Sequence, residues 1–261
     1  MSRSYVIVGS GIAGLAAAER LRHDDPAGTI MMISEEPHGF YSRPGLAYLL
    51  RGDIPERQLA IRTPADLEAL RLHRITARVE QLLPESHELI LADGRRQPYE
   101  RLLLAPGALA VAPTFPGGDL DGVVKLDSLN DARNILKRAR RRRAAVVVGG
   151  GITALELAEG LNARGMKVHY FLRGARYWSD VLDETESEIV LKRLRHEGIE
   201  VHLQTQIQQA TGERGSLRAV LTQDGKTIPC ELLAVAIGVK PRIGPPSCAM
   251  TTQSGDCSGE L

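Results

Sequence analysis

The chain has 261 residues, 43% apolar and 25% charged, with a formal net charge of +1, enough for one large domain or two of ordinary size in a soluble globular protein. That charge balance gives no argument for nucleic acid or an anionic membrane as a partner, and no apolar run reaches the roughly eighteen residues of a membrane span, Leu232 to Val239 being typical of the longest. Three cysteines (Cys230, Cys248 and Cys257) without a C-x-x-C pair argue against a disulfide scaffold or a structural zinc site, and no metal is expected.

Tyr5 to Val8 is an apolar run suited to a strand buried on both faces. It begins within five residues of Met1, so no signal or transit peptide is expected in front of it, and the cytoplasm is the expected compartment. Gly9, Gly11 and Gly14 follow at the spacing G-x-G-x-x-G, and an Ala- and Leu-rich helix runs from Ile12 and Ala13 onward, the whole stretch ending at Leu21. Gly9 permits a tight turn, Gly11 leaves room for a pyrophosphate, and Gly14 lets helix and strand approach. The phosphate then rests on free N–H groups at the helix N-terminus. The strand Thr29 to Ile33 ends at Ser34-Glu35-Glu36, about two dozen residues further on, where an acid accepts hydrogen bonds from ribose hydroxyls. Glu35 is favoured because it follows the strand directly.

Gly39, Pro44 and Gly45 make the next segment a loop, with one or two helical turns over Leu46 to Leu50. Thr63-Pro64-Ala65-Asp66 starts a helix expected to reach about Leu72, with Thr63 as N-cap. Ile75 to Leu83 and Glu88 to Leu91, with the hairpin signal Asp93-Gly94, read as a small antiparallel meander. Tyr99 to Ala105 returns as a buried strand ending in Pro106-Gly107. The Pro- and Gly-rich stretch Ala112 to Gly122 reads as a linker and candidate domain boundary. A helix is expected from Leu129 to Arg141 after the N-cap Ser128. Its basic end, Lys137 to Arg143, suits a helix C-terminus better than a nucleic-acid signal.

A second copy of the first pattern then opens. The strand Ala144 to Val148 leads into Gly149-Gly150-Gly151 and Ala154, spaced G-x-G-x-x-A, then Ile152, Thr153 and a helix to about Ala163. Gly165 is its C-cap and Lys167 to Leu172 the next strand. The acid expected there is replaced by Leu172, Arg173 and, three further on, Arg176. An arginine suits the 2′-phosphate of NADP(H), which favours NADP(H) over NAD(H). Asp183 to Glu197 is an amphipathic helix with Ile189, Leu191 and Leu194 among charges. Ile199 to Leu203, Leu217 to Thr222 and Thr227 to Pro229 read as strands, the last two flanking the hairpin Asp224-Gly225. Glu231 to Ile237 is a buried strand closing at Gly238.

The two nucleotide units, the meander, LLLAPGA at 102–108 and ELLAVAIGVKPR at 231–242 together resemble the two-dinucleotide-binding flavoprotein family, over about Tyr5 to Arg242. The branch it is most similar to is that of rubredoxin and ferredoxin reductases and the flavin module of nitrite reductases. The resemblance implies an α/β fold with two Rossmann-like three-layer βαβ domains and small antiparallel meanders. The expected division is an FAD-binding domain over 1–110, an NAD(P)H-binding domain over 111–240 and an irregular or disordered tail over 241–261. It further implies FAD on Gly9, Gly11, Ile12, Ala13 and Gly14, with Glu35 and Glu36 at the ribose and Val79 at adenine. Ala105-Pro106-Gly107 matches the family's second flavin motif, with Pro106 in place of its Thr. Arg43 and Pro44, in FYSRPGL, match an Arg-Pro that approaches the flavin. Gly149, Gly151, Ile152, Thr153 and Glu156 match the nicotinamide-nucleotide motif, and Ile237-Gly238 the border of the same pocket.

The disulfide-reductase branches carry a reactive cysteine near the Arg-Pro; here no cysteine precedes Cys230, which excludes an internal disulfide relay on residue type. The implied activity is hydride transfer from NAD(P)H to the flavin and electron delivery to an external acceptor, a small redox protein such as rubredoxin or ferredoxin or a fused redox module. After Arg242 the family's T-x-x-x-x-I-F-A-x-G-D segment is missing, and Gly255-Asp256 has no apolar strand before it. The expectation is a truncated or frame-shifted chain with an incomplete FAD domain. Two further readings follow from it: a nucleotide-binding fragment without turnover, or an interaction flavoprotein like the apoptosis-inducing-factor relatives.

Overall fold

The computed structural model describes residues 3–140 and 143–242. The sequence readings of Arg141, Cys248, Cys257 and the 243–261 tail lie outside them. The described chain divides into two compact units, one of residues 3–40, 62–107 and 241–242, the other of 41–61 and 108–240.

The first unit is a four-stranded parallel sheet in the order Leu72–Thr76, Thr29–Ser34, Ser4–Val8, Arg101–Leu104. The helix Ile12–Asp24 connects the two inner strands and buries Gly14, Leu15 and Ala18. Val6 and Ile33 pack against Leu89 and Leu91 of an antiparallel meander, Val79–Leu83, Glu88–Leu91 and Arg96–Pro98. Alternate residues of a strand face opposite ways, so Val6 can meet the meander while Ile7, fully buried, faces away from it.

Two sequence expectations are corrected here. The helix Pro64–Ala69 has the expected Thr63 cap, completed by the Asp66 carboxylate in a capping box, but it stops before Leu70. Arg71 turns into the left-handed region (φ 46°) and Leu72 already belongs to a strand. Nor is Ile75 to Leu83 one meander strand. Leu72–Thr76 is a parallel edge strand beside Thr29–Ser34, and the meander begins only at Val79.

The second unit repeats this plan. Its parallel sheet runs Glu200–His202, Lys167–Phe171, Ala144–Val148, Leu232–Val235, Val123–Val124. The helices Leu129–Ala139, Ile152–Ala163 and Glu184–His196 share one hydrophobic core with Val147, Val168, Tyr170 and Leu232. On the other face, Val146, Phe171, Leu233 and Val235 pack against Leu217 and Val220 of the meander Ile207–Glu213, Ser216–Thr222, Thr227–Pro229, and against Cys230 just after it. Ser128 and Asp183 both cap their helices through reciprocal capping boxes with Asp131 and Glu186. The basic helix end is paired locally: Arg138 with Asp121, and Arg143 with Glu231.

Three readings change in this unit. Residues 41–61 belong to it rather than to a contiguous 1–110 domain. The helix Gly45–Arg51 lies on the helix Ile152–Ala163, close enough that a Cβ on Gly160 would come within 3.0 Å of Leu50. Arg164 donates from Nε to the carbonyl of Leu50 and from Nη2 to that of Leu49, both at 2.7 Å, closing the end of that short helix. Ile207–Glu213, one of the two seven-residue strands of the meander, is a strand the sequence reading passed over. Ile189 points outward, 63% exposed, while Ser187, Leu191 and Leu194 form the buried face. Two residues of helix rotate about 200°, so Ile189 cannot share a face with Leu191. Among the described residues no helix is long and apolar enough to cross a membrane.

Candidate functional site

Each unit carries a glycine turn between its central strand and the following helix, and the two turns are built alike. In the first unit Gly9 has φ 112°, and its N–H donates to the carbonyl of Ile33 at 2.8 Å. A Cβ on Gly9 would lie 2.0 Å from the carbonyl oxygen of Ala105, whose own N–H donates to Val8. Gly14 has no room either: its Cβ would sit 2.1 Å from the Gly9 carbonyl oxygen. Gly11 is the opposite case. It is the N-cap of the helix, no side chain caps it, and nothing lies within 4 Å of where its Cβ would be. Ile12 and Ala13, the next two residues, are exposed. The turn is thus jammed against backbone on one side and open at the helix N-terminus, where uncapped N–H groups and the helix dipole favour an anion.

In the second unit Gly149 has φ 145°, and a Cβ there would meet the carbonyl oxygen of Ala236 at 2.1 Å. Its N–H reaches the carbonyl of Phe171 at 3.3 Å, and Ala236 donates to Val148 at 2.8 Å. Gly150 and Gly151 have nothing within 4 Å, and Gly151 is again an N-cap without a side-chain partner. Ile152 and Thr153 are exposed while Ala154 is buried. The correspondence extends to the strand ends: Ala105-Pro106-Gly107 and Ala236-Ile237-Gly238 occupy the same place in their units, and Gly107 and Gly238 both take positive φ, 72° and 127°. In both units the open glycine and helix N-terminus therefore fit a dinucleotide pyrophosphate.

Around the first turn the structure gathers residues far apart in sequence. Ser10 Oγ donates to Ser34 Oγ at 2.8 Å, tying the turn to the strand end that carries Glu35 and Glu36. Glu35 is exposed and lies 3.5 Å from Arg78 and 3.2 Å from Arg242. Arg242 also donates its backbone N–H to the carbonyl of Gly107. Neither arginine was read from the sequence as a partner of Glu35. Val79 is half-buried at the start of the meander. Arg43 and Pro44 belong to the second unit. Arg43 is exposed, donates to the carbonyl of Asp127 and lies over the Tyr41 ring at 5.6 Å.

Around the second turn, Glu156 is half-buried, and burial, with the neighbouring Glu159 second, raises its carboxyl above the ordinary range. Arg173 and Arg176 are exposed beyond the strand Lys167–Phe171. Ile237 and Gly238 are exposed at the end of Leu232–Val235.

Residues 3–252 match the family model described as pyridine nucleotide-disulphide oxidoreductase. The chain belongs to this family. Among curated relatives, the NADH oxidase of Methanocaldococcus jannaschii is 32% identical over 91% of this chain and 55% of its own length. The rubredoxin-NAD(+) reductase of Pseudomonas putida is 30% identical over 92% of the chain and 63% of its length. Among solved structures, the ferredoxin reductase for the CYP199A2 system from Rhodopseudomonas palustris superposes with a TM-score of 0.83 at 29% identity, covering 91% of this chain and 59% of that one. The chain thus spans rather more than half the length of these relatives. Cys230 is the only cysteine among the described residues. It is buried and its thiol is pushed up to about 12 by burial, which keeps it from acting as a thiolate.

Proposed function

We propose that this chain is the nucleotide-binding part of an FAD-dependent NAD(P)H oxidoreductase of the cytoplasm, with FAD on the first unit and NAD(P)H on the second. The observation that carries the reading is the pair of matched turns, each with an unobstructed glycine at an uncapped helix N-terminus. FAD, when bound, accepts a hydride from reduced nicotinamide and passes electrons on singly or in pairs. The residues of the chain bind and orient. Gly11, Ile12, Ala13 and Gly14 would receive the FAD pyrophosphate, Glu35 and Glu36 the ribose, and Val79 the adenine. Arg43, Pro44 and Ala105-Pro106-Gly107 are proposed for the flavin end. Gly151, Ile152 and Thr153 would receive the second pyrophosphate, and Glu156 with Ile237-Gly238 the nicotinamide end.

Cys230, the only cysteine among the described residues, is a buried thiol, and we infer that electrons leave to an external acceptor. The relatives named for rubredoxin and ferredoxin support a small redox protein in that role. The expected result is bound flavin in the purified protein and ferricyanide reduction that depends on reduced nicotinamide dinucleotide. Protein that holds neither flavin nor nicotinamide dinucleotide in equilibrium dialysis overturns the reading.

For the second nucleotide we infer NADP(H). The relatives carry NAD in their names, but no acid follows the second strand. Arg173 and Arg176 are the exposed charges there, and an arginine grips a phosphate bidentately. Arg173→Glu is expected to weaken NADPH binding by about 2 kcal/mol, the size of a charge-assisted hydrogen bond, and to leave NADH within a factor of a few. Equal loss for both cofactors, read by fluorescence titration, means that Arg173 does not meet the 2′-phosphate.

A further inference from the structure

We propose that His169, Glu200 and His202, in the second unit, form a binding site for a divalent transition metal of the zinc type. Their ligand atoms lie within 4.8 Å of one another, and they are the only such group of three among the described residues. The sequence reading weighed metal only through its cysteines and so passed over them. They come together through strand register. His169 stands opposite Glu200 on adjacent parallel strands, and Glu200 and His202, two apart, share a face. His169 Nδ1 lies 3.0 Å from Glu200 Oε2 and 3.1 Å from His202 Nε2. A four-coordinate ion with donors at about 2.0–2.1 Å holds neighbouring donors about 3.3 Å apart, a few tenths of an ångström more than His169 Nδ1 keeps from each of its two neighbours.

Proton bookkeeping favours an ion over a hydrogen-bond cluster. The facing atoms are two imidazole nitrogens and one carboxylate oxygen. A proton on His169 Nδ1 can be directed to only one of its two neighbours, and a proton on His202 Nε2 uses the His169 lone pair and leaves Glu200 Oε2 without a donor from either ring. A cation serves all three at once. The surroundings are ordered. Lys167 Nζ holds the other Glu200 oxygen at 2.9 Å, turning Oε2 toward His169. Phe171 stands edge-on to the His202 ring at 5.1 Å. Lys226, near His202, is paired with Asp224 at 2.7 Å. His169 is 8% exposed while Glu200 is open to solvent, which leaves the fourth position for water. Two imidazoles and a carboxylate suit zinc, nickel or copper and not magnesium or calcium. Because Glu200–His202 is the edge strand of its sheet, a bound ion would clip that edge to its neighbour.

The test is titration of ZnCl2 into the metal-stripped full chain by calorimetry, with Co2+ as a spectroscopic probe. One Zn2+ per chain, a rise in thermal midpoint with Zn2+ and no displacement by excess Mg2+ are expected. His202→Asn and Glu200→Ala should each lower Zn2+ affinity at least about 100-fold, beyond the 10–100-fold typical of outer-shell losses, while His196→Asn leaves it unchanged. Glu200 is exposed, so its variant tests the site even where a histidine variant fails to fold. No stoichiometric Zn2+ binding, or affinity unchanged in Glu200→Ala, overturns the proposal.

Discussion

Gly9→Ala is expected to unfold the first unit. The new methyl carbon would stand 2.0 Å from the Ala105 carbonyl oxygen and 2.7 Å from its carbon, both backbone atoms. Neither side can retreat. The Gly9 N–H is held by Ile33 and the Ala105 N–H by Val8, so separation breaks ladder bonds on both sides of the central strand. The left-handed backbone alone costs an L-residue about 1–2 kcal/mol. With the clash the total is on the order of 5 kcal/mol, comparable to the whole stability of many domains. Gly149→Ala should do the same to the second unit, where Ala236 replaces Ala105 as the obstacle at 2.1 Å. Hydrogen exchange read strand by strand checks both. Protection should vanish over Ser4–Val8 and Arg101–Leu104 in the first variant, and over Ala144–Val148 and Leu232–Val235 in the second. Protection within a factor of ten of the parent in those strands means the turn can relax, and the argument fails.

The parts of this geometry that were legible in sequence are the parts that act locally. Strand, turn and helix are contiguous, so the glycine spacing displays them, and the duplication makes each copy corroborate the other. The α/β class and the two Rossmann-like units follow from that, and the hairpin signals Asp93-Gly94 and Asp224-Gly225 mark the meanders just as locally. What Gly9 presses against was not legible, because Ala105 lies on a strand that returns after the whole meander. Arg242 at Glu35 and the His169–Glu200–His202 group are hidden for the same reason: register between distant strands creates them. The missed strand Ile207–Glu213 has a different cause. Its register shifts twice against Ser216–Thr222, between Ile207 and Gln209 and between Thr211 and Gly212, which interrupts the two-residue period that marks a strand. The corner at Ala77-Arg78 was invisible because alternation continues from a parallel edge strand into an antiparallel one. Residues 41–61 join the second unit through the contact of Leu50 with Gly160, which no local signal announces.

Gly11→Val and Gly151→Val are expected to separate folding from binding. Neither position has an atom within 4 Å of its Cβ direction, and both have extended backbone, with φ of −75° and −103°, that a β-branched residue accepts. Loss of a glycine N-cap costs about 1 kcal/mol or less, so both variants should fold. The isopropyl group would instead fill the space in front of the helix N-terminus, covering the N–H groups that a pyrophosphate needs. An ionised phosphate deprived of those donors loses hydrogen bonds worth roughly 1.5–3 kcal/mol each, so losing two of them weakens binding by about 100-fold or more. The two variants should differ in what they lose. Gly11→Val should purify without flavin yet still bind the nicotinamide dinucleotide. Gly151→Val should keep its flavin, and its ferricyanide reduction should fall through the nicotinamide-nucleotide KM. Flavin content by absorbance and nucleotide affinity by titration read the two losses independently. A Gly11→Val protein that retains its full flavin would mean the first turn holds some other ligand, and loss of both nucleotides in both variants would mean the two turns do not serve separate sites.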